Sequence, residues 1–219
     1  MASRSNIVAG IALIVMLYSS SLLAADVGIS TSMETKKDVS CELKIKERYE
    51  FYAIEGKTLD ELREYMKANG TKWNDGKVYS AETTWNINYS YDICQDGGRY
   101  WIKSVKTKLD IMYRMPHMIA AASNPDLATI WNNYLARLQR HEFGHKDIAV
   151  KTASEINEIF ASLATFPSER ALKEEISLRT GEKFQRLKEL QVEYDHETRH
   201  GETQGAILPD SDVRSYAGI

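Results

Sequence analysis

The chain has 219 residues, of which 43% are hydrophobic and 27% charged, and its net charge at pH 7 is −3. This length allows one well-packed core. The near-neutral charge gives no sign of binding to nucleic acid or to an anionic membrane. Composition therefore indicates an ordinary globular protein whose function depends on local motifs.

Residues 1–25 have the pattern of a cleavable signal peptide. Arg4 precedes an apolar run that is too short to span a bilayer comfortably, and small residues follow as far as Ala25. We expect cleavage after Ala25 and a secreted or periplasmic mature protein without stable membrane insertion. An uncleaved N-terminal anchor is the alternative.

The chain has two cysteines, Cys41 and Cys94. In an exported protein an even number of cysteines is typical of disulfide bonding. We therefore expect one disulfide in the N-terminal half, with two free thiols as the alternative.

Residues 39–116 carry mostly the signals of strands. Apolar side chains alternate with polar ones, which indicates a sheet with one buried face. Residues 95–98, Gln-Asp-Gly-Gly, predict a hairpin loop. The clearest strand has the alternating series Trp85, Ile87, Tyr89 and Tyr91. We expect its aromatic side chains to lie in the core rather than in a substrate cleft.

A short helix is predicted to interrupt these strands. Thr58 and Glu61 have the spacing of a capping box, and Asn69-Gly70 is typical of a helix end. The helix would present an apolar stripe made of Leu59, Leu62, Tyr65 and Met66.

The second half, residues 124–200, is predicted to be an αα-hairpin. Asn124-Pro125-Asp126 is typical of a helix start, and Phe166-Pro167-Ser168 separates two long segments with apolar residues at helical spacing. The fold class is therefore α+β, with a small antiparallel sheet and one short helix packed against a long C-terminal αα-hairpin. We expect one domain over residues 26–208 and a loosely ordered tail over 209–219.

Residues 141–145, His-Glu-Phe-Gly-His, lie within the first long helix. Because four residues make slightly more than one turn, His141 and His145 project from the same face, close enough to bind one metal ion. A lone histidine on an apolar helix face is more often a core residue, but this pair with Glu142 beside it favours a zinc hydrolase. Gly144, inside a helix, indicates that another group approaches closely there.

A catalytic zinc ion needs a third protein ligand and an open position. If the chain reverses near residues 166–167, residues 186–192 of the second helix lie opposite the motif. By this geometry Glu189 and Glu193 are the nearest candidate ligands.

Three segments resemble one bacterial family of unknown function, whose members are predicted to be secreted zinc-dependent proteases. Residues 194–206, Tyr-Asp-His-Glu-Thr-Arg-His-Gly-Glu-Thr-Gln-Gly-Ala, resemble its C-terminal signature Y-D-x-x-T-x-H-G-x-T-Q-G-A. Residues 141–145 resemble its H-E-x-G-H motif. Residues 82–89 resemble its E-T-x-W-x-V-x-W strand, with Tyr89 in place of the second Trp. The resemblance covers about residues 39–208.

The resemblance singles out Asp195 and His200 as candidate third ligands. We favour His200, because Gly201 predicts a helix end from which the imidazole could fold back, and we place Asp195 second; a helix-capping role is the alternative for His200. His196 matches no motif position and is expected to be exposed. Tyr194 could donate to an oxyanion, but its position on the apolar seam favours core packing.

The sequence thus predicts an exported zinc-dependent metallohydrolase of the zincin type, a peptidase acting on a peptide or protein. Zinc would be bound by His141, His145 and His200, and Glu142 would be the general base. Two alternatives stay open: a zinc-stabilised, non-catalytic envelope interaction module, and an amidase acting on cell-wall bonds. The sequence predicts no oligomeric state.

Overall fold

The structure, a computed structural model, describes residues 3–7, 38–119 and 125–210. In chain order the elements are β1 (Ser3–Ile7), β2 (Ser40–Ile54), α1 (Leu59–Asn69), β3 (Thr71–Lys72), β4 (Val78–Tyr79), β5 (Glu82–Asp96), β6 (Arg99–Met118), α2 (Pro125–Ser162), α3 (Glu169–Thr198) and a 3-10 turn (Glu202–Gln204). A four-stranded sheet in the order β1-β5-β6-β2 carries the long helices, and β3 and β4 form a separate small hairpin.

The hairpin of β5 and β6 is the centre of the sheet. Its turn consists of Gly97 and Gly98, both with positive φ (55° and 75°), the conformation that two-residue hairpin turns require and that glycine adopts without strain. The predicted hairpin loop is confirmed. This turn sets the register as far as Ile93, and a β-bulge between Asp92 and Ile93 then shifts it by one residue, so that Thr83 of β5 lies opposite Tyr113 of β6.

The sheet is mixed, whereas the sequence predicted a wholly antiparallel one. β5 runs antiparallel to β6, but β2 runs parallel to β6. The chain leaves β2 through α1 and enters β5 at the same end of the sheet, so β5 runs antiparallel to β2. Because the hairpin inserts β6 between these two strands, β6 must run parallel to β2.

The short helix is confirmed as α1. The Thr58 hydroxyl accepts a hydrogen bond from the Glu61 backbone N–H at 3.2 Å, as an N-cap does. The Glu61 carboxylate accepts from the backbone N–H of Lys57 at 2.5 Å. Leu62 and Met66 are buried, and they pack this helix beside β2 and the small hairpin.

The αα-hairpin on the sheet, and with it the α+β class, is confirmed. The break at residues 166–168 ends with Ser168, whose hydroxyl accepts from the Ala171 backbone N–H at 3.1 Å and caps α3. Asn124, the predicted cap of α2, lies outside the described residues. One face of the sheet packs against α2, and the core between them includes Val105, Leu109, Ile111, Ile156 and Phe160.

The predicted Cys41–Cys94 disulfide is wrong for this fold, because both cysteines are free thiols. Cys41 of β2 lies beside Val105 of β6, and Cys94 of β5 lies beside Trp101 of β6. Since β6 separates them, the two cysteines are at least two strand spacings apart, about 9–10 Å. A disulfide joins Cα atoms no more than about 7 Å apart.

The predicted terminal segments lie largely outside the described part of the chain. Of the expected signal peptide, only Ser3–Ile7 is described, as the strand β1 paired with residues 89–93 of β5. Of the expected tail, residues 211–219 are outside the described range. Among the described helices, none combines the length and the apolarity that a membrane span requires.

Candidate metal centre

The two motif histidines and one aspartate converge in the space between α2 and α3. His141 and His145 are 3% and 8% exposed, and Asp195 of α3 is 8% exposed. The Nε2 atoms of the two imidazoles are 3.3 Å apart, and the Asp195 Oδ1 atom lies 3.2 Å from His141 Nε2 and 3.0 Å from His145 Nε2. Three atoms of the kind that bind metals therefore form one small triangle.

The size of this triangle fits a tetrahedral zinc site. Zinc binds imidazole nitrogen and carboxylate oxygen at about 2.0–2.1 Å, so two ligand atoms of a tetrahedral site are about 3.3 Å apart. The three separations of 3.0, 3.2 and 3.3 Å are close to this value. Two histidines and one carboxylate are also a ligand set of catalytic zinc sites, which keep the fourth position for water or substrate.

Asp195 is held in its charged form. Burial raises the pKa of this carboxyl group, but the neighbouring imidazoles of His141 and His145 outweigh burial and keep its pKa well below the usual range. The pKa of His145 changes in the opposite direction: burial lowers it, and the larger combined effect of Asp195 raises it. An ionised carboxylate is the form that binds a cation.

Glu142 is buried next to the triangle, with 3% of its surface exposed. Its Oε2 atom accepts a hydrogen bond of 2.6 Å from the Thr83 hydroxyl of β5. Burial raises the pKa of Glu142, while the Thr83 hydrogen bond and the two histidines lower it by less. The neighbouring strand thus fixes one carboxylate oxygen of the predicted general base.

The role of Thr83 was missed by the sequence analysis. Residues 82–89 were recognised as a motif, but no motif position indicated which side chain would reach α2. The pairing of β5 with β6 decides this, because it turns Thr83 toward the helix layer and leaves Thr84 exposed on the opposite face.

The structure does not bring His200 into the triangle. Its Nδ1 atom lies 3.4 Å from Asp195 Oδ1, and its side chain is 38% exposed. Its Nε2 atom lies 3.4 Å from the Tyr79 hydroxyl at the mouth of the cleft. Of the two candidate ligands favoured by the family resemblance, Asp195 joins the two histidines in the triangle and His200 lies at the rim.

The other candidates from α3 lie away from the centre. Glu189 and Glu193 form ion pairs with Arg186 on the exposed side of the helix. Simple mirroring of the two helices placed the right stretch of α3 opposite the motif, since Gln191 contacts His145. It chose the wrong side chains, because it ignored the rotation of α3 about its own axis. His196 is exposed, as expected.

Gly144 and Tyr194 explain how closely the helices approach. A Cβ atom at Gly144 would overlap the ring and hydroxyl of Tyr194. The Tyr194 ring stacks on the His141 imidazole with centroids 5.1 Å apart, and its hydroxyl donates to the His141 carbonyl at 3.2 Å. The expected close approach at Gly144 is confirmed, and the Tyr194 hydroxyl is engaged with the backbone of α2.

Replacing Gly144 by Ala is expected to destabilise the protein, although alanine is the better helix former by about 1 kcal/mol. The new methyl group must displace Tyr194, and overpacking of this kind costs about 1–3 kcal/mol. We expect a net loss in the free energy of unfolding, measured by urea denaturation. Gly181→Ala in α3 is the matched control, since no atom lies within 4 Å of its Cβ position. This control variant should gain about 0.4–1 kcal/mol in the free energy of unfolding. Equal changes in the free energy of unfolding for the two variants would contradict the close contact between Gly144 and Tyr194.

A cleft of about 440 Å³ opens in front of the triangle and Glu142. The small hairpin of β3 and β4, the start of β5 and the end of α3 form its walls. Trp85 packs against the core, as expected, and it also lines this cleft. The wall combines polar and apolar side chains, and its aromatic and larger aliphatic residues include Trp73, Tyr79, Trp85, Tyr134, Leu138 and Val192.

Comparison with known proteins gives one match. A family model described as "Bacterial protein of unknown function (DUF922)" matches residues 49–201. This range includes the histidine motif, Thr83 and Asp195. No curated protein and no solved structure matches the chain. The chain belongs to the bacterial family of unknown function DUF922.

Proposed function

We propose that this chain is an exported zinc-dependent metallopeptidase with Glu142 as its general base. The observation that carries the proposal is the position of the Glu142 carboxylate, buried beside a zinc-sized triangle of His141, His145 and Asp195 and facing a cleft. A purely structural zinc site has no need for a buried carboxylate that is not a ligand, because burial of an unpaired charge is costly.

His141, His145 and Asp195 would hold the zinc ion. When bound, zinc supplies Lewis acidity, which activates water and polarises a carbonyl group. Glu142 accepts a proton from the attacking water while the water oxygen bonds to the carbonyl carbon. The same carboxyl group then gives the proton to the leaving nitrogen as the C–N bond breaks. Thr83 keeps one Glu142 oxygen fixed during both transfers.

The edge of β5 supports a polypeptide as the substrate. β1 pairs with this edge only at residues 89–93. Within the described part of the chain, no strand pairs with the same edge at residues 82–88, and Glu82, Thr83 and Trp85 line the cleft. Unpaired backbone N–H and C=O groups at a sheet edge bind extended peptides by adding a strand.

The test is amide hydrolysis by the purified, zinc-loaded mature protein. We expect cleavage of an unfolded polypeptide such as denatured casein, detected as new N-termini by mass spectrometry. A chelator should abolish cleavage and added zinc should restore it. Cleavage of peptidoglycan but not of polypeptides would identify a cell-wall amidase instead. Stoichiometric zinc without cleavage of either substrate would favour the non-catalytic module.

Replacing Thr83 by Val is expected to lower kcat without removing zinc. The change deletes the hydroxyl that donates to Glu142 and keeps the shape of the side chain. A hydrogen bond to a charged group is worth about 1.5–3 kcal/mol, which corresponds to at least about a tenfold loss in rate. Thr84→Val, on the exposed face of the same strand, is the control and should leave kcat unchanged. Equal kcat values for both variants would remove Thr83 from the mechanism.

A further inference from the structure

We propose that Gln191 and Gln204 are positioning residues that hold His145 and His141 in the Nδ1–H tautomer, so that both Nε2 lone pairs converge before the metal binds. The inference rests on the proposed metal centre but does not depend on hydrolysis. It concerns the protonation pattern of two rings, which ring geometry by itself leaves open.

Gln191 contacts His145 at two points. Its Oε1 atom lies 2.5 Å from His145 Nδ1, and its Nε2 atom donates to the His145 backbone carbonyl at 3.0 Å. A carbonyl oxygen only accepts hydrogen bonds, so this second contact fixes the orientation of the amide. The amide oxygen must then face Nδ1, and Nδ1 must carry the hydrogen. In a neutral ring the His145 Nε2 atom is left with a lone pair.

Gln204 contacts His141 in the same way, with Tyr194 as an intermediate. Its Oε1 atom lies 3.2 Å from His141 Nδ1, and its Nε2 atom donates to the Tyr194 hydroxyl at 2.9 Å. That hydroxyl in turn donates to the His141 carbonyl at 3.2 Å. This chain of donors turns the amide oxygen toward Nδ1.

Thr198 supplies a second argument for the His141 tautomer. Its hydroxyl donates to the Tyr194 carbonyl at 2.6 Å, so its single hydrogen is already used. The Thr198 oxygen lies 3.4 Å from His141 Nδ1 and acts there as an acceptor. His141 Nδ1 therefore faces two acceptors and must be the donor.

When both rings are neutral, the consequence is a site with three lone pairs and no hydrogen between them. In this tautomer the Nε2 atoms of His141 and His145 and the Oδ1 atom of Asp195 all present electron pairs within 3.3 Å of one another. Such an arrangement is repulsive without a cation and favourable with one. The two glutamines thus prepare the site for a metal ion.

The partners are neutral amides, whereas many metal-bound histidines donate to a carboxylate. With Asp195 as the one anionic ligand, a divalent cation would retain a net positive charge at this centre. A metal centre with a net positive charge can act as a Lewis acid that polarises a carbonyl group.

The test begins with metal-free protein whose histidines carry ¹⁵N, because two-bond ¹H–¹⁵N correlation spectra distinguish the two tautomers of a neutral ring. Wild-type protein should show Nδ1–H for both rings. Gln191→Leu removes the acceptor, and we expect His145 alone to change to Nε2–H, with Asp195 as its new acceptor. Tyr194→Phe frees the Gln204 amide to rotate, and combined with Thr198→Val, which removes the second acceptor at Nδ1, it should change His141 alone.

Zinc affinity is the second measurement, by competition with a chelator of known affinity. Loss of an outer partner of a metal-binding histidine typically costs about 10–100-fold in metal affinity, and we expect a loss in this range for Gln191→Leu and Gln204→Leu. Gln191→Glu keeps an acceptor and should restore both the tautomer and most of the affinity. Gln185→Leu, on the exposed side of α3, should change neither.

Unchanged tautomers together with unchanged zinc affinity in both Leu variants would overturn the inference, provided that circular dichroism shows them folded. If one variant fails to fold, Tyr194→Phe with Thr198→Val decides for His141 and Gln191→Ala, which also removes the acceptor, decides for His145. The outcomes are separate from those of the proposed function. A protein that binds zinc tightly and shows the expected tautomers but hydrolyses no amide bond would contradict only the peptidase proposal.

Discussion

Glu142→Gln is expected to leave zinc binding intact and to lower kcat by about 10²–10⁴-fold, the range that general acid–base catalysis contributes. The amide has the same shape as the carboxylate, so the Thr83 hydroxyl still has an oxygen to which it donates. The amide cannot accept the proton of the attacking water. We therefore expect kcat to fall while the zinc content, measured by elemental analysis, stays at about one ion per chain.

The matched control for this change is Glu82→Gln, which alters another carboxylate of the same cleft. Glu82 accepts a hydrogen bond from the Trp73 indole at 3.2 Å and lies on the wall rather than beside the triangle. It should change kcat far less than Glu142→Gln does. A fully active Glu142→Gln variant would contradict the role of Glu142 as general base, and loss of zinc from this variant would instead indicate that Glu142 supports the ligands.

Asp195→Ala and His200→Ala should differ sharply in zinc binding. Asp195 supplies one corner of the triangle, so its removal should weaken zinc binding by more than the about 10–100-fold that outer partners contribute. His200 is 38% exposed and touches the site only through Asp195 at 3.4 Å. The His200→Ala variant should keep its zinc. Chelator competition on the two purified variants measures the difference.

Asp147→Ala is the control for the loss of a carboxylate near the site, because Asp147 is exposed on α2 and pairs with Lys146. Its zinc affinity should equal that of the wild type. If His200→Ala lost zinc as completely as Asp195→Ala, the centre would have a fourth protein ligand. Such a closed site is typical of structural zinc and would count against hydrolysis.

Several features of the fold could be predicted because they depend on neighbours in the sequence. The caps at Thr58 and Ser168 and the turn at Gly97-Gly98 are set by side chains or backbone preferences within a few residues. The close approach at Gly144 could also be anticipated, because glycine inside a helix costs about 1 kcal/mol and is kept for a reason. Its partner, Tyr194, could not be identified in the same way.

The errors concern pairs of residues that are distant in the sequence. The disulfide was inferred from the number of cysteines, but the order of the strands places β6 between Cys41 and Cys94. The sheet was expected to be antiparallel because its strands alternate apolar and polar residues, as strands with one buried face do. The insertion of β6 between β2 and β5 made one pair parallel.

The sequence by itself determined the pair His141 and His145 with Glu142 beside them, because the α-helix fixes the geometry of residues one and four positions apart. Only the tertiary structure decided that Asp195 completes the triangle, that Thr83 donates to Glu142 and that Gln191 and Gln204 contact the imidazoles. Those choices depend on the crossing and rotation of α3 against α2 and on the register of β5. Packing of the whole core sets this crossing, this rotation and this register, and no local sequence pattern encodes them.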